Sequence, residues 1–117
     1  MGREVVNYRT STGECPVELF LDSLPGKAAG KVVWVLKLLG SLENVPAVYF
    51  SKMSGTEQVW ECRATFGSNA YRVFAFMDGQ RVVLTHGFVK KTWKTPSMEI
   101  ERAERYRKDY FERKRED

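Results

Sequence analysis

Histidine, cysteine and long apolar runs are all scarce in this sequence. His86 is the single histidine, and Cys15 and Cys62 lie far apart in the chain. A zinc site of the usual spacing needs such residues in close pairs, so a site of that kind is excluded. One histidine likewise excludes a catalytic pair of imidazoles. We therefore expect no metal and no cofactor, and two buried, reduced thiols.

No segment approaches the roughly 20 apolar residues that a membrane span requires. The most apolar stretch, residues 32–42, is interrupted by Lys37 and Gly40. The first residues of the chain also lack the apolar core of a signal peptide. These absences predict a cytoplasmic protein without a membrane partner.

The composition is typical of a folded protein. Of the 117 residues, 43% are hydrophobic and 13% are aromatic, far more than a disordered chain carries. A chain of this length can bury one core but not two. We expect residues 1–117 to form one domain.

The net charge of +4 is confined to the middle of the chain. Residues 1–50 and residues 96–117 each carry equal numbers of acidic and basic side chains, whereas residues 51–95 carry seven basic and three acidic ones. A localised positive surface attracts phosphate groups or an acidic partner. The middle of the chain is therefore where a binding site is expected.

The spacing of apolar residues predicts an α+β fold. The order is an N-terminal strand, a helical hairpin, a three-stranded antiparallel sheet that completes a mainly antiparallel sheet, and a C-terminal helix. We expect the helices to cover one face of the sheet. The predicted strands are residues 4–9, 58–66, 71–77 and 80–89, and the predicted helices are residues 16–24, residues 27–42 and a last helix from Pro96, capped by Thr95.

Two turns set the predicted register of the long strands. Residues 78–79 are Asp-Gly, which favours a two-residue type I′ turn, and residues 67–70 can form the preceding turn. Because side chains alternate between faces, this register gives one apolar face that helices cover and that includes His86 and Phe88. The predicted cross-strand pairs are Phe76 with Arg81 and Arg63 with Phe74. The opposite, uncovered face carries Glu61, Arg63, Thr65, Arg72, Phe74, Phe76, Arg81, Val83 and Thr85.

Two arginines on neighbouring central strands repel each other unless an anion lies between them. A phosphate could fill that place, since a guanidinium offers paired donors to its oxygens. Glu61 could do so internally, and a sheet face exposed to solvent can also carry arginines without any function. The pattern of Arg63 and Arg72 therefore favours a phosphate site but leaves these alternatives open.

Residues 86–96 add three lysines and a tryptophan between the last strand and the last helix. Lysines with an aromatic side chain between them suit single-stranded RNA, whose backbone charge is neutralised while its bases stack. The alternative is a solvated loop that caps a helix. His86 itself is predicted to be a buried structural residue.

Four short motifs carry a resemblance to a known family. In order, they are Trp60-Glu-Cys-Arg63, Tyr71-Arg-Val-Phe74, the run from Val83 to Lys91, and Lys94-Thr-Pro96 followed by Ile100-Glu-Arg-Ala-Glu-Arg105. The sequence resembles the HigB branch of the RelE-type toxins, including its phage-derived group. The resemblance implies a toxin that cleaves messenger RNA in the ribosomal A site and is silenced by a helix-turn-helix antitoxin.

The resemblance implies catalytic roles for Arg63, Arg72 and Lys91, and the charge and aromatic pattern adds the other predicted site residues. The predicted catalytic residues are Arg63, Arg72, Lys91 and Lys94, and the predicted RNA-binding residues are Lys52, Arg81, Lys90 and Trp93. The implied chemistry is metal-independent attack of a ribose 2′-hydroxyl on the neighbouring phosphate, which leaves a cyclic phosphate. The family's catalytic tyrosine has no secure counterpart, since Tyr106 and Tyr110 both lie in its segment.

Two other functions fit the same residues. A non-catalytic RNA-binding module would use the arginines and the tryptophan only to hold RNA. A phage-derived interaction protein would dock its basic face on an acidic partner and ignore RNA.

Overall fold

The described residues form five strands and three helices in the order β1, α1, α2, β2, β3, β4, β5, α3. The computed structural model describes residues 3–56 and 58–116 of the chain. The strands are β1 (Val5–Asn7), β2 (Phe50–Lys52), β3 (Trp60–Phe66), β4 (Asn69–Asp78) and β5 (Arg81–Lys90). The helices are α1 (Pro16–Asp22), α2 (Gly26–Ser41) and α3 (Ser97–Glu116). The predicted α+β class and element order are confirmed, and β2 is an addition to them.

The strands form one mixed sheet in the order β1-β5-β4-β3-β2. β1 pairs with β5 in parallel, and every other pairing is antiparallel. The two edge strands have only three residues each. The charged segment, residues 51–95, therefore contributes all of β3, β4 and β5 and lies at the centre of the sheet.

The helical hairpin of α1 and α2 covers the first face of the sheet. Proline at the first position starts α1, and Val32, Val35 and Leu39 of α2 recur at helical spacing and are buried. They pack against the apolar side chains of β3, β4 and β5. Gly87 permits this close packing, because a Cβ there would lie 2.2 Å from Cδ2 of Phe20.

The expectation that the helices cover only one face is wrong. Helix α3 packs on the opposite face, where Ala103, Tyr106 and Tyr110 meet aromatic and aliphatic residues of the central strands. Those strand residues, Phe74, Phe76, Val83 and Phe88, are all buried. Exposure of these apolar side chains to water would be unfavourable, and this is the physical reason for a second helical layer.

The predicted register differs from the observed one by two residues. Asp78 pairs with Arg81, so the turn consists of Gly79 and Gln80, and Arg63 pairs with Arg72 across β3 and β4. Only the glycine of this turn has a positive φ, of 61°. That is the pattern of a type II′ turn rather than the predicted type I′. Because a shift of two residues keeps each side chain on its face, both arginines remain on the predicted face.

A β-bulge in β5 places His86 and Phe88 on the face opposite to the predicted one. The pairing passes from Val73–Gly87 directly to Ala75–Leu84, so Thr85 and His86 share one place in the ladder. His86 and Phe88 consequently face α3 instead of the hairpin, contrary to the prediction. Thr85, predicted on an uncovered face, is fully buried, and its hydroxyl donates to the Phe74 carbonyl at 3.2 Å.

Candidate active site

A cleft of about 530 Å³ opens on the α3 side of the sheet, beside the start of that helix. Three strands and one loop contribute to its lining. Lys52 lies in β2, Arg63 in β3 and Lys90 in β5, and Trp93 and Lys94 lie in the loop before α3. Five of the eight predicted site residues therefore meet here. The cleft is also lined by the apolar side chains of Met53 and Ile100 and by the carboxylate of Glu61.

The cations of the cleft outnumber its carboxylates. Among the described residues, the cleft is lined by four cations, Lys52, Arg63, Lys90 and Lys94, and by one acidic residue, Glu61. No ion pair joins the three lysines to a carboxylate within residues 3–56 and 58–116. The cleft is therefore a place of net positive charge that suits an anion.

Arg63 and Arg72 lie directly opposite each other on β3 and β4, with Glu61 between them. Arg63 Nε donates to Glu61 Oε1 at 2.5 Å, and Arg72 Nε lies 3.6 Å from Glu61 Oε2. The exposed fractions of the side chains differ, with 39% for Arg63, 13% for Arg72 and 3% for Glu61. Only Arg63 of the two arginines lines the cleft.

The expectation of two arginines on an uncovered surface is therefore correct for Arg63 and wrong for Arg72. α3 and its aromatic neighbours shield the part of the face next to Arg72, and Glu61 lies beside its guanidinium. Burial lowers the pKa of Arg72, Glu61 raises it, and the charge of Arg63 lowers it. An arginine still keeps its proton at neutral pH under such shifts, so a buried positive charge stands next to a buried negative one.

Trp93 projects from the loop between β5 and α3 with 94% of its surface exposed. The hydroxyl of Thr92 donates to the carbonyl of Lys94 at 2.7 Å and tightens this loop. An exposed indole between two lysines offers a flat apolar surface to a nucleic-acid base. Lys91, a predicted catalytic residue, is exposed in the same loop but does not line the cleft.

Residues 19–108 match the model of the family described as Phage derived protein Gp49-like (DUF891). The match covers most of the chain and all of the cleft. The chain belongs to this family. The Gp49-like family is known as a RelE/HigB-like toxin type. A search of the curated proteins gives no match.

In this Gp49-like chain Arg81 lies away from the cleft. It stands at the opposite end of β5 from Lys90, about 30 Å along the strand. Its Nε donates to Glu4 at 3.0 Å, and its Nη1 lies 3.4 Å from the hydroxyl of Tyr110. The structure therefore separates Arg81 from the other predicted RNA-binding residues.

His86 is buried in the α3 layer. The sequence predicted its buried, structural role correctly but placed it on the other face of the sheet. Its Nε2 lies 3.2 Å from Glu99 Oε1, and its ring packs on Phe74 and Tyr106. Burial, with the charges of Arg102 and Arg105, lowers its pKa to about 3. A neutral imidazole sealed at 1% exposure cannot reach a substrate, so His86 takes no part in acid-base chemistry.

Neither candidate tyrosine lines the cleft of this Gp49-like protein. Tyr106 stacks on Tyr8 with ring centroids 4.6 Å apart, and Tyr110 donates to Asp78 at 2.7 Å. Both attach α3 to the sheet. The sequence offered no signal for the contributions of Met53 and Ile100, because they depend on β2 and on the docking of α3.

Two further properties concern ligands and membranes. Within the part of the chain that the structure describes, no three His, Cys, Asp or Glu side chains come together as metal ligands would. Among those same residues, no helix is both long and apolar enough to cross a bilayer.

Proposed function

We propose that this protein is the toxin of a toxin-antitoxin pair and cleaves messenger RNA in the ribosomal A site without a metal. The family supports the toxin class, and the cleft supports RNA as the ligand. One observation carries the proposal: among the residues that the structure describes, four cationic side chains, a 94% exposed tryptophan and one carboxylate line the cleft.

The proposed chemistry begins with a ribose 2′-hydroxyl that passes its proton to solvent water and forms a bond to the adjacent phosphorus. The bond from phosphorus to the 5′ oxygen breaks, and this oxygen leaves with the electron pair. Arg63 stabilises the charge that develops on the nonbridging oxygens, which is the largest contribution such a site can make. Lys94 gives a proton to the leaving oxygen, and Lys52 and Lys90 hold the flanking phosphates.

Base stacking on Trp93 orients the strand beside these charges. The ribosome aligns the codon with the cleft, and holding the reacting atoms in place removes part of the entropic barrier. Lys91, exposed beside the cleft, contacts ribosomal RNA or the message outside the cut site. A helix-turn-helix antitoxin made with the toxin silences it.

A non-catalytic RNA-binding module is the second candidate. The observation in its favour is that Glu61 already holds Arg63 at 2.5 Å and lies beside Arg72. A site whose arginines are partly neutralised can still bind RNA through its lysines and tryptophan. Such a module would bind ribosomes or RNA but leave messages intact.

Expression of the chain with and without its neighbouring open reading frame tests the toxin proposal. Expression alone should arrest growth and give new messenger RNA ends within codons in primer extension, and the neighbour should rescue growth. The Arg63→Ala variant, matched by Arg9→Ala as a control outside the cleft, should be harmless and give no new ends. Growth arrest without cleavage would support the RNA-binding module, and neither effect would favour an interaction protein.

A further inference from the structure

A row of three charged side chains, one exposed and two largely buried, lies at the floor of the cleft. Glu61 stands between Arg63 on its own strand and Arg72 on the next one. Glu61 Oε2 and Arg72 Nε face each other at 3.6 Å, and each is buried without a hydrogen-bond partner in the described part of the chain. A buried carboxylate is costly unless opposite charge compensates it, so this arrangement needs an explanation.

The exposed fractions rank the three side chains by their access to a substrate. Arg63 is 39% exposed and lines the cleft, Arg72 is 13% exposed and does not, and Glu61 is 3% exposed at the floor. A phosphate in the cleft can therefore contact Arg63, whereas Arg72 lies behind it. Glu61 accepts a hydrogen bond from Nε of Arg63, and this contact fixes the plane of the guanidinium.

The charges alone show what each partner does. Without Glu61, two guanidinium groups would stand directly opposite each other on adjacent strands and repel. Without Arg72, Glu61 would neutralise Arg63 and repel a phosphate. With both present, Arg63 is held in place while the row keeps a net charge of one positive unit.

We propose that Glu61 and Arg72 are positioning residues, a buried ion pair that orients Arg63 and preserves its charge for an RNA phosphate. The inference rests on the proposed function for its substrate, and it changes the role of Arg72 from a phosphate ligand to a partner of Glu61. It does not depend on which codon is cut.

A double-mutant cycle separates these two roles of Arg72. Arg72→Met should weaken binding to ribosomes programmed with a message whose A-site 2′-hydroxyls are methylated, by at least roughly tenfold. Glu61→Gln should strengthen binding about threefold to tenfold, because the carboxylate charge is removed while an acceptor for Arg63 remains. The double variant should return to within about threefold of the wild type, since the neutral pair no longer opposes Arg63.

Folding is checked by circular dichroism, because Arg72→Met removes one of the two cations that compensate the buried carboxylate of Glu61. The double variant and Arg72→Lys avoid that problem, and both should bind within about threefold of the wild type if Arg72 acts through its charge on Glu61. The matched control is Arg9→Met with Glu18→Gln, a pair joined at 3.2 Å outside the cleft, which should not affect binding.

A folded double variant that binds at least tenfold more weakly than the wild type would overturn the inference, because Arg72 would then contact RNA itself. The same measurements on a cleavable message test the proposed function separately. If the wild-type protein binds but does not cleave, the proposed nuclease activity is refuted. The double-mutant cycle then still tests the roles of Glu61 and Arg72, because it measures binding alone. A wild type that does not bind would refute both.

Discussion

At one end of β5, Arg81 donates to Glu4, and Lys114 and Arg113 of α3 pair with Asp78 and Asp109. At the other end, Lys90 lines a cleft whose described residues include four cations and one buried carboxylate. Both ends are rich in basic residues. At the first, the balanced end, Arg81, Arg113 and Lys114 each pair with a carboxylate. At the second, the unbalanced end, no ion pair joins the three lysines to a carboxylate within residues 3–56 and 58–116. The comparison teaches that the pairing of cations with neighbouring carboxylates, rather than the number of basic residues, separates the proposed binding site from a structural network.

The largest expected effect is that of removing Arg63 from the unbalanced end. Arg63→Ala should reduce cleavage of ribosome-bound messenger RNA by about 10²- to 10³-fold, because it removes the donors closest to the developing charge. Arg81→Ala at the balanced end should change cleavage by less than about threefold. Equal losses in the two variants, measured in single-turnover reactions, would erase the distinction between the ends.

Removal of Trp93 should have the next largest effect. The loss of one stacking platform costs about 1–3 kcal/mol per base, or roughly 5- to 150-fold in RNA affinity. Trp93→Phe should retain most of the affinity that Trp93→Ala loses. The side chain is 94% exposed, so stability should not change. Titration of ribosome complexes measures the affinity of both variants. A Trp93→Ala variant that binds as tightly as the wild type would show that no base stacks on Trp93.

The lysines sharpen the comparison through salt dependence. Each lysine that neutralises a phosphate of a single strand contributes about 0.7 to the slope of log affinity against log salt concentration. Lys90→Ala and Lys94→Ala should each reduce the slope by roughly that amount, whereas Lys114→Ala should leave it unchanged. A slope that falls only for Lys114→Ala would indicate that RNA binds at the Arg81 end of β5 and not in the cleft.

Acid should destabilise the α3 layer through His86. Burial first of all, then Arg102 and Arg105, lowers the pKa of this residue from 6.5 to about 3, so the unfolded chain takes up the proton more readily than the folded one. The stabilisation is complete above pH 6.5 and is lost as the pH falls from 6.5 towards 3, by at most about 1.4 kcal/mol per pH unit. Denaturant unfolding should show a flatter profile for His86→Gln, and an unchanged profile would contradict this assignment.

The smallest effect is expected at the balanced end. Asp78 accepts from Lys114 and from the hydroxyl of Tyr110, both at 2.7 Å, and these bonds lower its pKa. Asp78→Asn should cost about 1 kcal/mol of stability at neutral pH and leave RNA binding unchanged. Because the carboxylate pKa is depressed, this difference should vanish as the pH falls through the acid range, which thermal unfolding can follow.

The sequence predicted the elements better than it predicted their layers. Helical spacing located α1 and α2, and the β-rich runs located β3, β4 and β5. The three-residue β2 has too short a pattern to register, and the bulge at residues 85–86 leaves no trace in composition. Both depend on contacts between distant segments, which a local pattern does not contain.

The site was predicted in its residue types rather than in its geometry. The positive charge of residues 51–95 and the residue types at 90–94 indicated the cleft. Arg63 and Arg72 were placed correctly on one face, because a register error of two residues does not change the face of a side chain. Their different burial could not be inferred, since it depends on where α3 docks. Arg81 was grouped with them because a strand pattern shows the face of a residue but not its distance along the sheet.

The central claim is tested most directly by cleavage of one defined message on purified ribosomes, with the chemistry of the new end identified. The account predicts a cut in the A-site codon that leaves a 2′,3′-cyclic phosphate and disappears when the attacking 2′-hydroxyl is replaced by hydrogen. A message that stays intact, or a cut that persists without that hydroxyl, would contradict it.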